Sequence, residues 1–169
     1  MSKMFSMYRV VFSSFLFVAV SATLSKEDCR NYLNSDYLLF CCKNEFPSVR
    51  IPMLDDVSEC AHLDPESCER SLCIAKKLGV ATADDRIDKA KAVELLYAKL
   101  ANEPSLMEDV QSKCIDGDVE SYAPAEACES VKLTRCVSMQ WLKRCTDWDD
   151  DSECQKFKEG VQECATLLA

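Results

Sequence analysis

Cysteines are the residues of this sequence whose type and number most clearly predict chemistry. There are twelve among 169 residues, while His62 is the only histidine. No CxxC pair occurs, so the pattern of a zinc site is missing and we expect no metal. An even, dense set of cysteines is typical of a disulfide framework in an oxidising compartment. We therefore predict six bridges and no free thiol.

The stretch CVSMQWLKRC, residues 136–145, shows how such bridges could organise the fold. Each residue of an α-helix turns the chain by about 100°, so Cys136 and Cys145 would project from opposite sides of one helix. They cannot bond to each other there. Each should instead tie this helix to a different neighbour.

Other candidates for chemistry give weaker patterns. The Cys41-Cys42 doublet is followed by neither a histidine nor an aspartate at close range, so a hydrolase-like site is not predicted there. His62 stands alone and is interpreted as an exposed loop residue rather than a base. We expect no enzyme activity and no cofactor.

The acidic run around residue 149 imitates a calcium loop without completing it. Asp147, Asp149 and Asp151 are correctly spaced for its start, but Ser152 and Lys158 occupy the positions of the required glycine and glutamate. We interpret this run as a solvated turn and a helix start. Trp148 lies within it and is expected to be exposed.

The first residues have the pattern of a secretory signal peptide. Lys3 and Arg9 precede an apolar run over residues 10–20, and Val20-Ser21-Ala22 offers small residues for cleavage. An uncleaved anchor is the alternative, but the run is short for a membrane span. We predict a signal peptide over 1–22 and a single secreted, extracellular domain over 23–169.

The net charge limits the partners of the mature chain. Cleavage would leave 18 lysines and arginines against 29 acidic residues, a net charge of about −11. Such a surface repels nucleic acid and anionic lipid, so neither nucleic acid binding nor membrane insertion is expected.

The pattern of glycine, proline and apolar residues predicts an all-α fold. Only three glycines and five prolines occur, and hairpin dipeptides are missing. Capping residues, first-turn prolines and apolar periodicity predict six helices. They cover about 27–42, a segment from Asp64-Pro65 to Gly79, one starting at Asp88 or at Asp84-Asp85, one from Pro104, one from Pro124 and one over about 151–167.

The long helix with the quoted stretch carries an apolar stripe. Leu133, Val137 and Trp141 fall on the arc between its two cysteines. From the stripe alone, ordinary core is the favoured interpretation, and the wall of a ligand cavity is the alternative.

The cysteine order gives a resemblance to a known family. The spacing Cys42-x25-Cys68-x4-Cys73-x40-Cys114, ending in Cys136-x8-Cys145, resembles the six-cysteine signature of insect odorant-binding proteins of the pheromone and general odorant type. The doublet and the additional cysteines resemble its cysteine-rich C-plus branch. The chain departs from the family in the x4 spacing and in Thr146, where a proline is usual.

This resemblance implies a disulfide pairing and a binding site. It pairs Cys68 with Cys136, Cys114 with Cys145, and Cys73 with Cys41 or Cys42. The pairing of the others stays open: Cys29, Cys60, Cys128, Cys154, Cys164 and one of the doublet. The implied fold is a compact, disulfide-stapled bundle of about six to eight helices around an apolar cavity, with a wall formed by Leu72, Val93, Leu96, Leu100, Leu106, Val110, Leu133, Val137 and Trp141.

The function that the resemblance implies is transport. The protein would carry small hydrophobic odorants or pheromones through aqueous sensory lymph toward an olfactory receptor, as a monomer or homodimer. Acid would weaken this binding below about pH 6, in the carboxylate range. The alternative is a disulfide-rich extracellular helical module that acts through protein–protein contacts without a small-molecule cavity.

Overall fold

The computed structural model describes residues 24–32, 40–44 and 57–168. Within these ranges the chain forms six α-helices and no named strand. They are α1 (Lys26–Tyr32), α2 (Cys68–Lys77), α3 (Lys89–Lys99), α4 (Pro104–Val110), α5 (Glu129–Leu142) and α6 (Ser152–Leu167). The predicted all-α fold is therefore confirmed. The predicted signal peptide, residues 1–22, lies outside the described residues.

Local sequence signals explain where several helices begin and end. The side chain of Asp88 accepts a hydrogen bond from the Lys91 amide at the start of α3. Asp151 caps α6 in the same way, through the Glu153 amide. Pro104 occupies the first turn of α4, where its missing N–H costs nothing. Of the two predicted starts for α3, the structure selects Asp88.

Three predicted boundaries are wrong. α2 begins at Cys68, after the cap Ser67, because Asp64 and Pro65 form a preceding turn. α5 begins at Glu129 rather than at Pro124, since Cys128 has an extended backbone and its amide donates to the Cys68 sulfur. The first helix does not reach residue 42.

The end of that first predicted helix has a different structure for a tertiary reason. α1 ends at Tyr32, and residues 33–39 lie outside the described ranges. Cys42 forms an isolated antiparallel β-bridge with Trp148 instead of helical hydrogen bonds. The Asp149 amide donates to the Cys41 carbonyl and the Lys43 amide to the Asp147 carbonyl.

The core formed by the described residues consists of two apolar clusters. The larger joins α1, α4, α5 and α6 and contains fully buried side chains such as Leu106, Val110 and Met139. The smaller lies between α2, α3 and the end of the π-helical turn Gln111–Ile115, which continues α4; its buried members are Ala75, Val80, Ile87, Ala92 and Ile115. None of the helices within the described ranges is long and apolar enough to cross a membrane.

All twelve cysteines form disulfides, as predicted from their even number. The six bridges are Cys29–Cys164, Cys41–Cys154, Cys42–Cys145, Cys60–Cys73, Cys68–Cys128 and Cys114–Cys136. Such a framework indicates an extracellular or secreted protein.

The pairing that the family resemblance implied is wrong at every assigned bridge. Cys136 bonds Cys114 rather than Cys68, and Cys145 bonds Cys42 rather than Cys114. Cys73 bonds Cys60 rather than either member of the doublet. The reason is in the helix packing, which places Cys114 at the end of the π-helical turn against the middle of α5.

The two cysteines of the quoted stretch do bond different neighbours, as predicted. Cys145 lies beyond the end of α5, however, since that helix finishes at Leu142. Cys68 and Cys73 also diverge, because five residues along α2 rotate their side chains about 140° apart. One bridge therefore ties α2 to the start of α5, and the other ties it to the 3₁₀ turn Ser58–Cys60.

Candidate functional site

A half-open groove lies between α3 and α4 in the described structure. It has a volume of about 460 Å³, within the range of about 300–1,000 Å³ that small-molecule sites occupy. It is lined by Tyr97, Leu100, Ala101, Pro104, Met107, Glu108, Gln111, Ser112 and Asp116. We call it the α3–α4 groove.

Its floor and mouth differ in polarity. Leu100 and Met107 are almost completely buried and form the apolar floor. Tyr97 is 54% exposed, and its hydroxyl donates to Gln111 Oε1 at 3.0 Å. This hydrogen bond joins the two walls near the mouth. A ligand in the groove would therefore meet an apolar base and a polar rim.

Backbone geometry gives one wall its shape. Residues 101–103 connect α3 to α4 by a short turn, in which the Glu103 amide donates to the Leu100 carbonyl. α4 then continues into the π-helical turn Gln111–Ile115, where the Asp116 amide donates to the Gln111 carbonyl. π-helical turns of this kind are frequently found at functional sites.

This wall is anchored on its far side. Cys114, in the π-helical turn, is bonded to Cys136 in α5, and both are fully buried. Lys89 at the start of α3 donates to the Ile115 carbonyl at 2.6 Å, which joins the opposite wall to the same turn. The groove is thus held in shape by a covalent bond and a long-range hydrogen bond.

Basic side chains of this region are held on the other side of α4. Asp109 accepts hydrogen bonds and ion pairs from Arg144 Nη2 at 2.5 Å and from Lys113 Nζ at 3.2 Å. The hydrogen bond from Arg144 is the main cause that lowers the pKa of Asp109 below its usual value. Arg144 also donates to the carbonyls of Ser105 and Gln140, so it fastens α4 to α5.

A buried polar chain ties the C-terminus to α5. The Gln140 amide group donates to the Tyr122 hydroxyl, which donates to the Leu168 carbonyl. Burial raises the pKa of Tyr122. Both side chains are hydrogen-bonded and lie within the core, so we assign them a structural role.

The acidic run at residues 147–151 leads into α6, whose cap is Asp151, as the predicted helix start requires; a β-bridge at Trp148 replaces the predicted turn. Asp149 accepts from the Asp151 amide and pairs with Lys43 at 3.4 Å. Asn44 accepts from the amides of Thr146 and Asp147. The described part of the chain contains no group of three or more residues able to hold a metal ion. His62 is exposed in a turn, as predicted for its position.

Trp148 contradicts its predicted exposure. It is buried, its ring nitrogen donates to the Cys145 carbonyl, and its ring meets Phe157 edge-on at 6.1 Å. The bridge to Cys42 turns the ring into the core although its neighbours in sequence are acidic.

The predicted cavity wall is mostly packed core in the structure. Leu100, Leu106, Val110 and Trp141 are buried in the larger cluster, with Val93, Leu96, Leu133 and Val137 packed against it. Leu133 also borders a void of only about 10 Å³, enough for about one water molecule. Leu72 is half-buried on α2. Of the nine, Leu100 alone lines the α3–α4 groove, so an enclosed cavity stays a prediction.

Sequence reasoning missed the other groove residues because it followed a single face of α4. Leu106, Val110 and Cys114 are spaced by four and form its core face. Pro104, Met107 and Gln111 are spaced at three and four on a neighbouring face. That second periodicity was a usable signal, since Met107 is a large apolar residue at the correct position.

Comparison with known proteins gives no relative. No family model, no curated protein and no solved structure matches the chain.

Proposed function

We propose that the protein is a secreted carrier that binds small hydrophobic molecules, such as odorants or pheromones, and transports them through aqueous sensory lymph. The observation that supports this proposal is the α3–α4 groove, which has the size of a small-molecule site and an apolar floor formed by Leu100 and Met107. We place the ligand in this groove rather than in the packed core.

The disulfide framework fits such a role. A groove exposes apolar surface, and exposed apolar surface in a small domain invites collapse or rearrangement. Disulfide crosslinks restrict the unfolded chain and hold the helices of the groove walls in place. The groove can therefore stay open although no side chains pack into it. Cys114–Cys136 acts directly behind the groove wall.

The resemblance to odorant-binding proteins contributes the ligand class and the biological setting. It rests on cysteine spacing, and the observed pairing differs from the family's. The proposal therefore depends on the groove and not on that pairing. An olfactory receptor remains the proposed downstream partner.

The test is displacement of an apolar fluorescent probe, N-phenyl-1-naphthylamine, from the oxidised protein. Ala101 is exposed at the groove, so Ala101→Trp should fill the site without disturbing the core. We expect this variant to weaken probe binding at least tenfold, which corresponds to about 1.4 kcal/mol.

Ala98→Trp is the matched control. Ala98, three residues earlier on α3, is also exposed but does not line the groove. It should bind the probe like the unmodified protein. Equal affinities of the Ala101→Trp and Ala98→Trp proteins would place binding outside the groove and reject this site.

A second candidate function is recognition of another protein. The exposed aromatic rings of Phe40 and Tyr97 favour it, since such rings are common anchors at interfaces. Absence of probe binding by the folded, oxidised protein would reject the carrier proposal and leave this candidate.

A further inference from the structure

We infer that the α3–α4 groove selects organic cations, namely small molecules with a protonated amine at one end and an apolar body. This inference rests on the proposed function, because it requires that the groove bind small molecules. It goes further by assigning the charge of the ligand.

The charges lining the groove have one sign. Glu108 and Asp116 are both exposed at its rim, and none of the nine described residues that line it is basic. Neither carboxylate has an ion-pair partner in the described part of the chain. Two negative charges therefore face the groove without compensation.

Three basic side chains of this region are bound to other groups. Lys113 and Arg144 both pair with Asp109, on the other side of α4 from the groove. Lys89 donates its ammonium hydrogen to the Ile115 carbonyl. A carboxylate or phosphate ligand would thus meet two like charges and no basic side chain in the described lining, in a chain whose net charge is already −9.

The uncharged lining suits the rest of such a ligand. Leu100 and Met107 offer an apolar floor for a hydrocarbon body, while Tyr97 supplies an aromatic ring on the other wall. Ammonium groups are attracted to aromatic faces as well as to carboxylates. Gln111 and Ser112 add polar side chains beside the two acids. The groove therefore offers carboxylates and an aromatic ring to the ammonium group of such a ligand, and an apolar floor to its hydrocarbon body.

Specificity is tested with three ligands of one carbon skeleton: 4-phenylbutylamine, 4-phenylbutanol and 4-phenylbutanoate. Their affinities are measured by probe displacement at neutral pH and low ionic strength. Two exposed carboxylates should favour the amine over the alcohol by about tenfold, and the acid should bind most weakly. The advantage of the amine should shrink at about 0.5 M sodium chloride, because salt screens exposed charges.

A double variant assigns the effect to the groove. Glu108→Gln with Asp116→Asn should remove the advantage of the amine and leave the affinity of the alcohol unchanged. The matched control is Glu126→Gln with Asp150→Asn, which removes the same number and kind of charges from exposed positions outside the groove. This control should keep the preference for the amine.

The outcomes separate the two proposals. Equal binding of the amine and the alcohol to the unmodified protein overturns the inference and leaves the carrier function standing. Loss of the preference in the Glu126/Asp150 control as well overturns the assignment to the groove. Absence of binding by all three ligands and by the apolar probe overturns the carrier function together with the inference.

Discussion

Substitution of Gly160 by alanine should reveal how tightly α1 docks on α6. Gly160 is buried in the middle of α6, and a Cβ placed there would overlap the ring of Tyr32. That ring is stacked on Phe157 at 5.4 Å, and its hydroxyl donates to the Lys156 carbonyl at 2.7 Å. The Tyr32 ring therefore has little freedom to move aside.

The expected magnitude follows from two opposing effects. Overpacking of a fitted contact costs about 1–3 kcal/mol. Replacing glycine by alanine inside a helix stabilises the folded protein by about 0.5–1 kcal/mol through helix propensity. The Cys29–Cys164 bridge lies one turn further along α6 and keeps the two helices from separating. From the middle of these two ranges we expect Gly160→Ala to lower the free energy of unfolding by about 1 kcal/mol.

A double-mutant cycle isolates the contact. In a Tyr32→Ala background the clash is gone, so adding Gly160→Ala should stabilise the protein by about 0.5–1 kcal/mol through helix propensity alone. The assay is guanidinium unfolding followed by circular dichroism, with all disulfides oxidised. If Gly160→Ala has the same effect in both backgrounds, the packing of Tyr32 against Gly160 is wrong.

Two further predictions concern a helix end and an ion pair. Gly79→Ala should cost about 1 kcal/mol in the same assay, because Gly79 has φ of +74° at the end of α2. A larger loss would require a steric clash, whereas no atom lies within 4 Å of an added Cβ. Asp109→Asn should cost about 1 kcal/mol at pH 7, since it breaks the ion pair with Arg144. Because the folded protein lowers the pKa of Asp109, this contribution is complete above the ordinary value of 3.8 and disappears as pH falls further. The measurement is urea unfolding of the unmodified protein and the Asp109→Asn protein between pH 7 and pH 2.5. A difference in their free energies of unfolding that does not change with pH contradicts this prediction.

Local sequence signals determined much of the secondary structure. Asp88, Pro104 and Asp151 begin helices as predicted, since capping and first-turn proline depend on backbone groups only a few residues away. The even number of cysteines likewise predicted that no free thiol remains, because that prediction does not depend on which cysteines bond to each other.

Tertiary structure decided which cysteines pair. A disulfide requires two Cα atoms within about 7 Å of each other, and that distance depends on how whole helices pack. Cys114 reaches Cys136 because the end of the π-helical turn lies against the middle of α5. Spacing along the chain carries no information on that packing, so a resemblance in spacing assigned the wrong partners.

Tertiary structure also decided which apolar faces are core and which form the groove. The acidic neighbours of Trp148 predicted exposure, but its β-bridge with Cys42 brings the ring against Phe157. On α4, Leu106 and Met107 are equally apolar and adjacent in sequence. Both side chains are buried in the larger cluster, but only Met107 also lines the α3–α4 groove, because neighbouring elements cover the two faces of α4 differently. Periodicity identifies a helical face, whereas the elements that pack against that face determine its role.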